Sequence, residues 1–257
     1  MNYFIEGLQG SGKSTLVRKL SEKYPDYKAV NEGDYSPVEL AWCAYVSKDK
    51  YEEILEKYSD IRAMIEEKSH EEDGNVIICY TQIITDIPGF HKDLEQYEIY
   101  NGRRDYDEFC KILIDRYTKW NGDKGIYECS ILQNTVEDMI LYRVMSDEGI
   151  IDFYKDVKRA LDGKEYKIVY LKADDVERNI NVIRKERSDD KGNELWFPLM
   201  INYFDESPYA KRYGVSGEDA LIKHLQHRQE LELRICQGVF GDRSTVLISK
   251  NYEIMDV

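Results

Sequence analysis

A short apolar strand pattern over 2–6 (NYFIE) runs directly into Gly7-Leu8-Gln9-Gly10-Ser11-Gly12-Lys13-Ser14, and a helical pattern begins at Lys13. The spacing G-x-x-x-x-G-K-S between a strand and a helix admits few folds. Glycines let such a loop turn its backbone N–H groups inward, and the helix behind it adds the positive end of its dipole, so the loop becomes a cradle for phosphate oxygens. A strand, a tight loop and a returning helix form a βα unit, which calls for a parallel sheet. Lys13 is then placed to reach the β- and γ-phosphates of a nucleoside triphosphate, and Ser14 to ligate its Mg²⁺. The candidate nucleotide-binding residues are Gly7, Gly10, Ser11, Gly12, Lys13, Ser14 and Thr15, with ATP and Mg²⁺ as the implied cofactors.

The remainder of the chain repeats the alternation. Strands are expected at 28–30, 125–127, 167–171 and 245–248, and helices over 37–46, 50–68, 105–120, 133–146, 150–161, 176–187 and 218–239. The β-branched, apolar stretch 75–85 (NVIICYTQIIT) suits either a strand or a buried helix, and Asp86-Ile87-Pro88-Gly89 then breaks it. Polar, glycine-containing segments at 188–193 and 213–217 read as loops. With no repeat, low-complexity tract or linker, the chain is expected to form a single domain.

The charge balance narrows the partners. Thirty-six Lys and Arg against 50 Asp and Glu give −14 over 257 residues, a field that repels polymeric nucleic acid and anionic membranes. No apolar run approaches the roughly 20 residues of a membrane span, and no secretion-signal pattern opens the chain, so a cytoplasmic protein is expected. Five widely spaced cysteines suggest no disulfide frame. His224 and His227 lie three apart on an expected helix, but without a third ligand they imply no protein-held metal. A polyanionic ligand on so acidic a chain calls for local positive charge, which predicts a basic pocket at the rim of the loop.

The segment 7–16 (GLQGSGKSTL) resembles the loop of the nucleoside and nucleotide kinase group of P-loop proteins, which includes deoxynucleoside kinases and thymidylate kinases. Val30-Asn31-Glu32-Gly33 follows the second strand, where this group carries an acidic residue facing the phosphoryl acceptor. Tyr127-Glu128-Cys129-Ser130 follows the third, where deoxynucleoside kinases have Glu-Arg-Ser. Arg184, Lys185 and Arg187 follow the fourth, at the position of the arginine-bearing lid. The resemblance implies an α/β, three-layer P-loop NTPase fold with a parallel, roughly five-stranded sheet flanked by helices. It places one domain over 1–257, with an acceptor-side insertion around 68–105 and a lid around 184–213. It further implies Mg-ATP-dependent phosphotransfer to a nucleoside, nucleotide or similar small molecule, and pairing of two copies through helices.

Within that resemblance Lys13, Glu32, Arg184 and Arg187 are the catalytic candidates. Glu32 would orient and deprotonate an acceptor hydroxyl, with Asp34 as its alternate. Glu128 would hold Mg²⁺ through water beside Ser14, and Arg184 and Arg187, three apart on a helix, would neutralise charge on the transferring group. Cys129 stands where the family has arginine. Arg103 and Arg104 are the candidate substitutes, and Tyr80, Gln82, Tyr97 and Tyr100 are available to stack on or hydrogen-bond a base. A competing reading is a GTPase-like or ATPase switch without a small-molecule acceptor. Asp86-Ile87-Pro88-Gly89 fits D-x-x-G, and Leu171-Lys172-Ala173-Asp174 partly fits N-K-x-D. Leu171 cannot make the hydrogen bond that fixes guanine, which favours the phosphotransferase.

Overall fold

The computed structural model describes residues 1–253; residues 254–257, the end of the domain expected over 1–257, lie outside the described residues. β1 (Asn2–Gly7), buried along its whole length, leads through the glycine loop into α1 (Lys13–Lys23) and then β2 (Lys28–Val30). The chain next leaves the main sheet. β3 (Ala44–Ser47), α2 (Lys48–Lys57), α3 (Arg62–Glu67), β4 (Ser69–Glu72) and β5 (Asn75–Ile78) build a second, antiparallel sheet of order β3-β5-β4. α4 (Phe90–Glu95) and α5 (Tyr106–Lys119) lead back to β6 (Gly125–Glu128). Then come α6 (Gln133–Leu141), α7 (Asp147–Ala160), β7 (Tyr166–Lys172), α8 (Val176–Glu186) and α9 (Trp196–Asp205), followed by α10 (Pro208–Tyr213), α11 (Gly217–Ile235) and β8 (Ser244–Ile248).

The main sheet is five-stranded and parallel throughout, in the order β2-β6-β1-β7-β8, with helices on both faces. Strand alternation makes the layers. Phe4, Ile168 and Tyr170 point into one core, while Tyr3, Ile5, Val169 and Leu171, their neighbours in sequence, point into another with Leu16, Val17 and Leu20 of α1. From β1 the chain builds first toward β2 and β6, then toward β7 and β8 on the other side. The order therefore reverses at β1, and a crevice opens beyond its carboxyl end, where the glycine loop sits. No helix among the described residues is long and apolar enough to cross a membrane.

Two local expectations fail for identifiable reasons, and one open alternative is resolved. The helix expected over 37–46 does not form. Ser36 Oγ accepts from the N–H groups of Val38 and Glu39, and Glu39 Oε1 accepts from those of Leu40 (2.7 Å) and Ala41 (2.6 Å). Side chains thus satisfy donors a helix would use, and Trp42 turns left-handed (φ 65°) before β3 begins. The helix expected over 50–68 breaks at Tyr58, whose ring meets Phe90 edge-on in the core of the second sheet and whose hydroxyl donates to Asp93 (2.8 Å). The ambiguous stretch 75–85 is a strand through Ile78 and then a 3₁₀ turn, Tyr80–Gln82.

Buried carboxylates tie this fold to pH. Glu6 on β1 accepts from the N–H groups of Ile131 (2.8 Å) and Gln133 (3.2 Å), fastening the start of α6; burial pushes it up to about 7 against the pull of those donors. Burial likewise pushes Glu39 up to about 8. For both, the folded state keeps a proton that the unfolded chain releases near 4.5. Their stabilisation is full below about pH 4.5 and lost as pH rises through 7 to 8. Burial would raise Glu137 too, but His224 and Arg228 outweigh it and hold it at about 2, so its contribution is present above about 4.5 and lost as pH falls toward 2. Urea unfolding is expected to give greater stability at pH 5 than at pH 8.5, with Glu39→Gln flattening the upper limb. A curve rising from pH 5 to 8.5 contradicts this assignment.

Candidate functional site

The glycine loop is built as its spacing requires. A Cβ on Gly7 would lie 2.6 Å from Leu171 O and 2.8 Å from Ser11 Oγ, so the loop passes β7 at a distance only glycine allows. Gly12 (φ 91°) precedes α1, whose first turn carries no side-chain cap and no acidic residue, leaving its N–H groups to an anion. Lys13 is buried and its Nζ donates to Gly7 O and Leu8 O, both at 2.9 Å. Asn179 of α8 donates to Gln9 O (2.7 Å) and Arg228 of α11 to Gln9 Oε1 (2.7 Å), so two helices grip the loop's tip.

Ser14 Oγ donates to Glu128 Oε1 at 2.6 Å, joining two residues 114 positions apart. Hydroxyl and carboxylate oxygens suit a hard divalent cation. Among the described residues there is no cluster of three or more His, Cys, Asp or Glu that could hold a metal, so a cation here would share its shell with phosphate and water. Glu32 Oε1 accepts from Trp42 Nε1 (3.0 Å) and Gln133 Nε2 (3.1 Å), leaving Oε2 without a protein donor among the described residues. Asp34 instead closes its own turn onto Asn31.

Two cavities meet here. One, of about 330 Å³, is lined by Gly10, Gly12, Lys13, Ser14, Thr15 and Glu128 and extends to Lys250; Gly7 and Ser11 lie behind it. The other, of about 210 Å³, runs between the irregular stretch before β3, the start of α6, and α9. Gln9, Glu32, Gln133 and Arg187 line both. The expected basic rim is not found. Lys13, Arg187 and Lys250 face Glu32, Glu128 and Glu186, three cations against three carboxylates, so the rim is balanced within an acidic surface.

The two arginines expected on a lid do not project together. α8 ends at Glu186, so Arg187 leaves the helical path, lies 4.9 Å over the Trp196 ring and lines both cavities. Arg184 grips Glu194 with Nε and Nη2 (3.0 Å each) and Glu218 with Nη1 (2.5 Å), and stacks on Phe197. It lines neither cavity. The same holds for Gln82, which donates to Gly33 O and Asp34 Oδ1, for Arg103, paired with Glu95, and for Arg104, which reaches Tyr45 O and Glu108.

Sequence reasoning missed Arg228. It is fully buried yet borders the second cavity, donating to Glu137 Oε2 (2.9 Å) and Gln9, with Nε 3.3 Å from Glu232. The i,i+4 spacing of His224, Arg228 and Glu232, interleaved with apolar Leu221, Leu225 and Leu231, was the available signal of a buried polar stripe on α11. Gln133 was missed too; it is buried, and its Oε1 has no partner.

No protein-family model matches the chain, and no curated protein matches it. Among solved structures, a gluconokinase from Sinorhizobium meliloti 1021 aligns with 12% identity and a TM-score of 0.35, over 100% of this chain and 86% of that one. The fold assignment therefore rests on the sheet order and the loop themselves.

Proposed function

We propose that this protein is a Mg-ATP-dependent phosphotransferase that acts on a small molecule. The observation that carries the reading is the shared wall: a phosphate-cradling cavity opens onto a second cavity, with a carboxylate, two amides and an arginine at the junction. Phosphoryl transfer asks mainly for positioning and charge neutralisation. A nucleotide switch has no use for the second cavity. A cavity of about 210 Å³ is on the scale of a small molecule and not of a polymer.

Each residue takes a role from its surroundings. The free N–H groups of the loop and α1 bind the phosphates, and Lys13 supplies the loop's own cation. Ser14 would hold Mg²⁺ directly and Glu128 through water, the ion supplying charge neutralisation when bound. Glu32, fixed by Trp42 and Gln133 through one oxygen, turns the other to an acceptor hydroxyl and takes its proton. Arg187 at the junction neutralises the transferring group, while Arg184 braces the lid through Glu194 and Glu218. Gln133, with an unpartnered buried oxygen, is poised to accept from the acceptor.

Glu32→Gln is expected to lower kcat by about 10²–10⁴-fold with little change in KM for ATP. The test is to give the protein Mg-ATP with sugars, nucleosides and their phosphates, and follow ADP and phosphorylated product together. ATP turnover that no acceptor alters, and that Glu32→Gln leaves intact, would sink the proposal.

A further inference from the structure

We infer that the second cavity selects an uncharged acceptor, and that Glu98 is its specificity residue, accepting paired hydrogen-bond donors from the end of the acceptor remote from the reacting hydroxyl. The inference rests on the phosphotransferase reading only in naming the second cavity as the acceptor's. Glu98 is 2% exposed and borders that cavity. It makes no ion pair among the described residues; the nearby Arg103 is held by Glu95. Its Oε1 accepts from Tyr80 (2.6 Å), but among the described residues Oε2 meets only Asn101 Nδ2 at 3.5 Å, the outer limit of a hydrogen bond. A carboxylate this buried with an almost unfilled oxygen is costly unless a ligand supplies the missing donor. Asn101 cannot swing closer, because its Oδ1 already accepts from Tyr203 (2.8 Å).

The cations argue in the same direction. Arg228 borders this cavity, but its two terminal nitrogens donate to Glu137 and Gln9 and its charge is paired with Glu137 and Glu232. Arg187 lines both cavities at the junction and is the cation proposed for the transferring phosphate. An anionic acceptor would therefore meet Glu98 at one end and Glu32 at the other, with Arg187 assigned to the transferring phosphate and no other uncommitted cation among the described residues lining the cavity, so that like charges oppose its binding. Uncharged molecules with adjacent O–H or N–H groups fit, and such a pair is found both in the diols of a monosaccharide and on the amino-imino edge of a nucleoside base.

The experiment measures kcat/KM with Mg-ATP, and ligand-induced shifts in Tm without it, for four sets of compounds: monosaccharides, nucleosides, aldonates and nucleoside monophosphates. Wild type is expected to favour one uncharged set over both anionic ones by at least about 100-fold, and whether sugars or nucleosides lead identifies the source of the donor pair. Glu98→Gln is expected to raise acceptor KM about tenfold or more, with kcat and KM for ATP little changed, and to shrink the ratio of uncharged to anionic turnover. That ratio is independent of the fraction of correctly folded protein. Preference for an anionic set, or an unchanged ratio in Glu98→Gln, overturns the inference and leaves phosphotransfer standing. Tm shifts with uncharged compounds that Glu98→Gln abolishes, without transfer to any of them, uphold the inference and instead sink the phosphotransferase reading.

Discussion

Replacing Lys13 by alanine is expected to lower Mg-ATP-dependent phosphotransfer by at least about 10²–10³-fold, the loss seen when one preorganised group facing transition-state charge is removed. The expectation follows from how little positive charge the site contains. The phosphate-side cavity holds three cations against three carboxylates, and Lys13 is the one that the loop itself provides. It is buried and oriented by two backbone carbonyls, so its position costs little reorganisation. Arg187 is exposed just beyond α8 and Lys250 lies beyond β8, so neither replaces it. Losing the two hydrogen bonds to Gly7 and Leu8 removes roughly 1 kcal/mol each, a Tm change of a few degrees for a chain of this size. Kinetics and melting therefore separate: activity should collapse while the protein stays folded at assay temperature. Turnover within a few-fold of wild type contradicts the placement of phosphate at this loop.

Arg228→Met is expected to be the most destabilising single change outside the apolar core. Glu137 and Glu232 face one guanidinium, and all three side chains are shielded from water. Removing the cation leaves buried carboxylate charge uncompensated, at a cost of about 3–5 kcal/mol, or a Tm drop on the order of 10 °C. The same change frees Gln9 from α11, so residual activity at low temperature should show a raised acceptor KM. Combining it with Glu137→Gln should cost less than the two changes summed, because their shared charge pair is broken only once. A single variant melting within about 2 °C of wild type would place the network's charge balance elsewhere.

The fold was largely legible because its signals are local. Buried parallel strands read as apolar runs, and five were recognised, with small errors at their ends. What escaped was the second sheet. Its strands are four residues each, and one begins inside a stretch whose composition suits a helix until Ser36 and Glu39 take up the backbone donors. α9 was missed because Pro198 and the exposed apolar Leu199 obscure the helical spacing of Phe197, Met200, Ile201 and Phe204 on its inner face.

By itself the sequence determined the glycine loop proposed to cradle phosphate and the parallel sheet behind it, since both follow from contiguous residues: glycines where the backbone must turn or pass closely, and a strand and helix on either side. The tertiary structure decided everything that depends on side chains meeting across the chain. That Arg187 reaches the junction and Arg184 does not follows from α8 ending at Glu186 and from Glu194 and Glu218 lying within reach. That Arg103 and Arg104 are occupied, while Arg228 borders the cavity from 219 residues beyond Gln9, follows from which carboxylates packing brings beside them. A charged residue's task is set by its partners, and partners this distant in sequence are chosen only when the layers close.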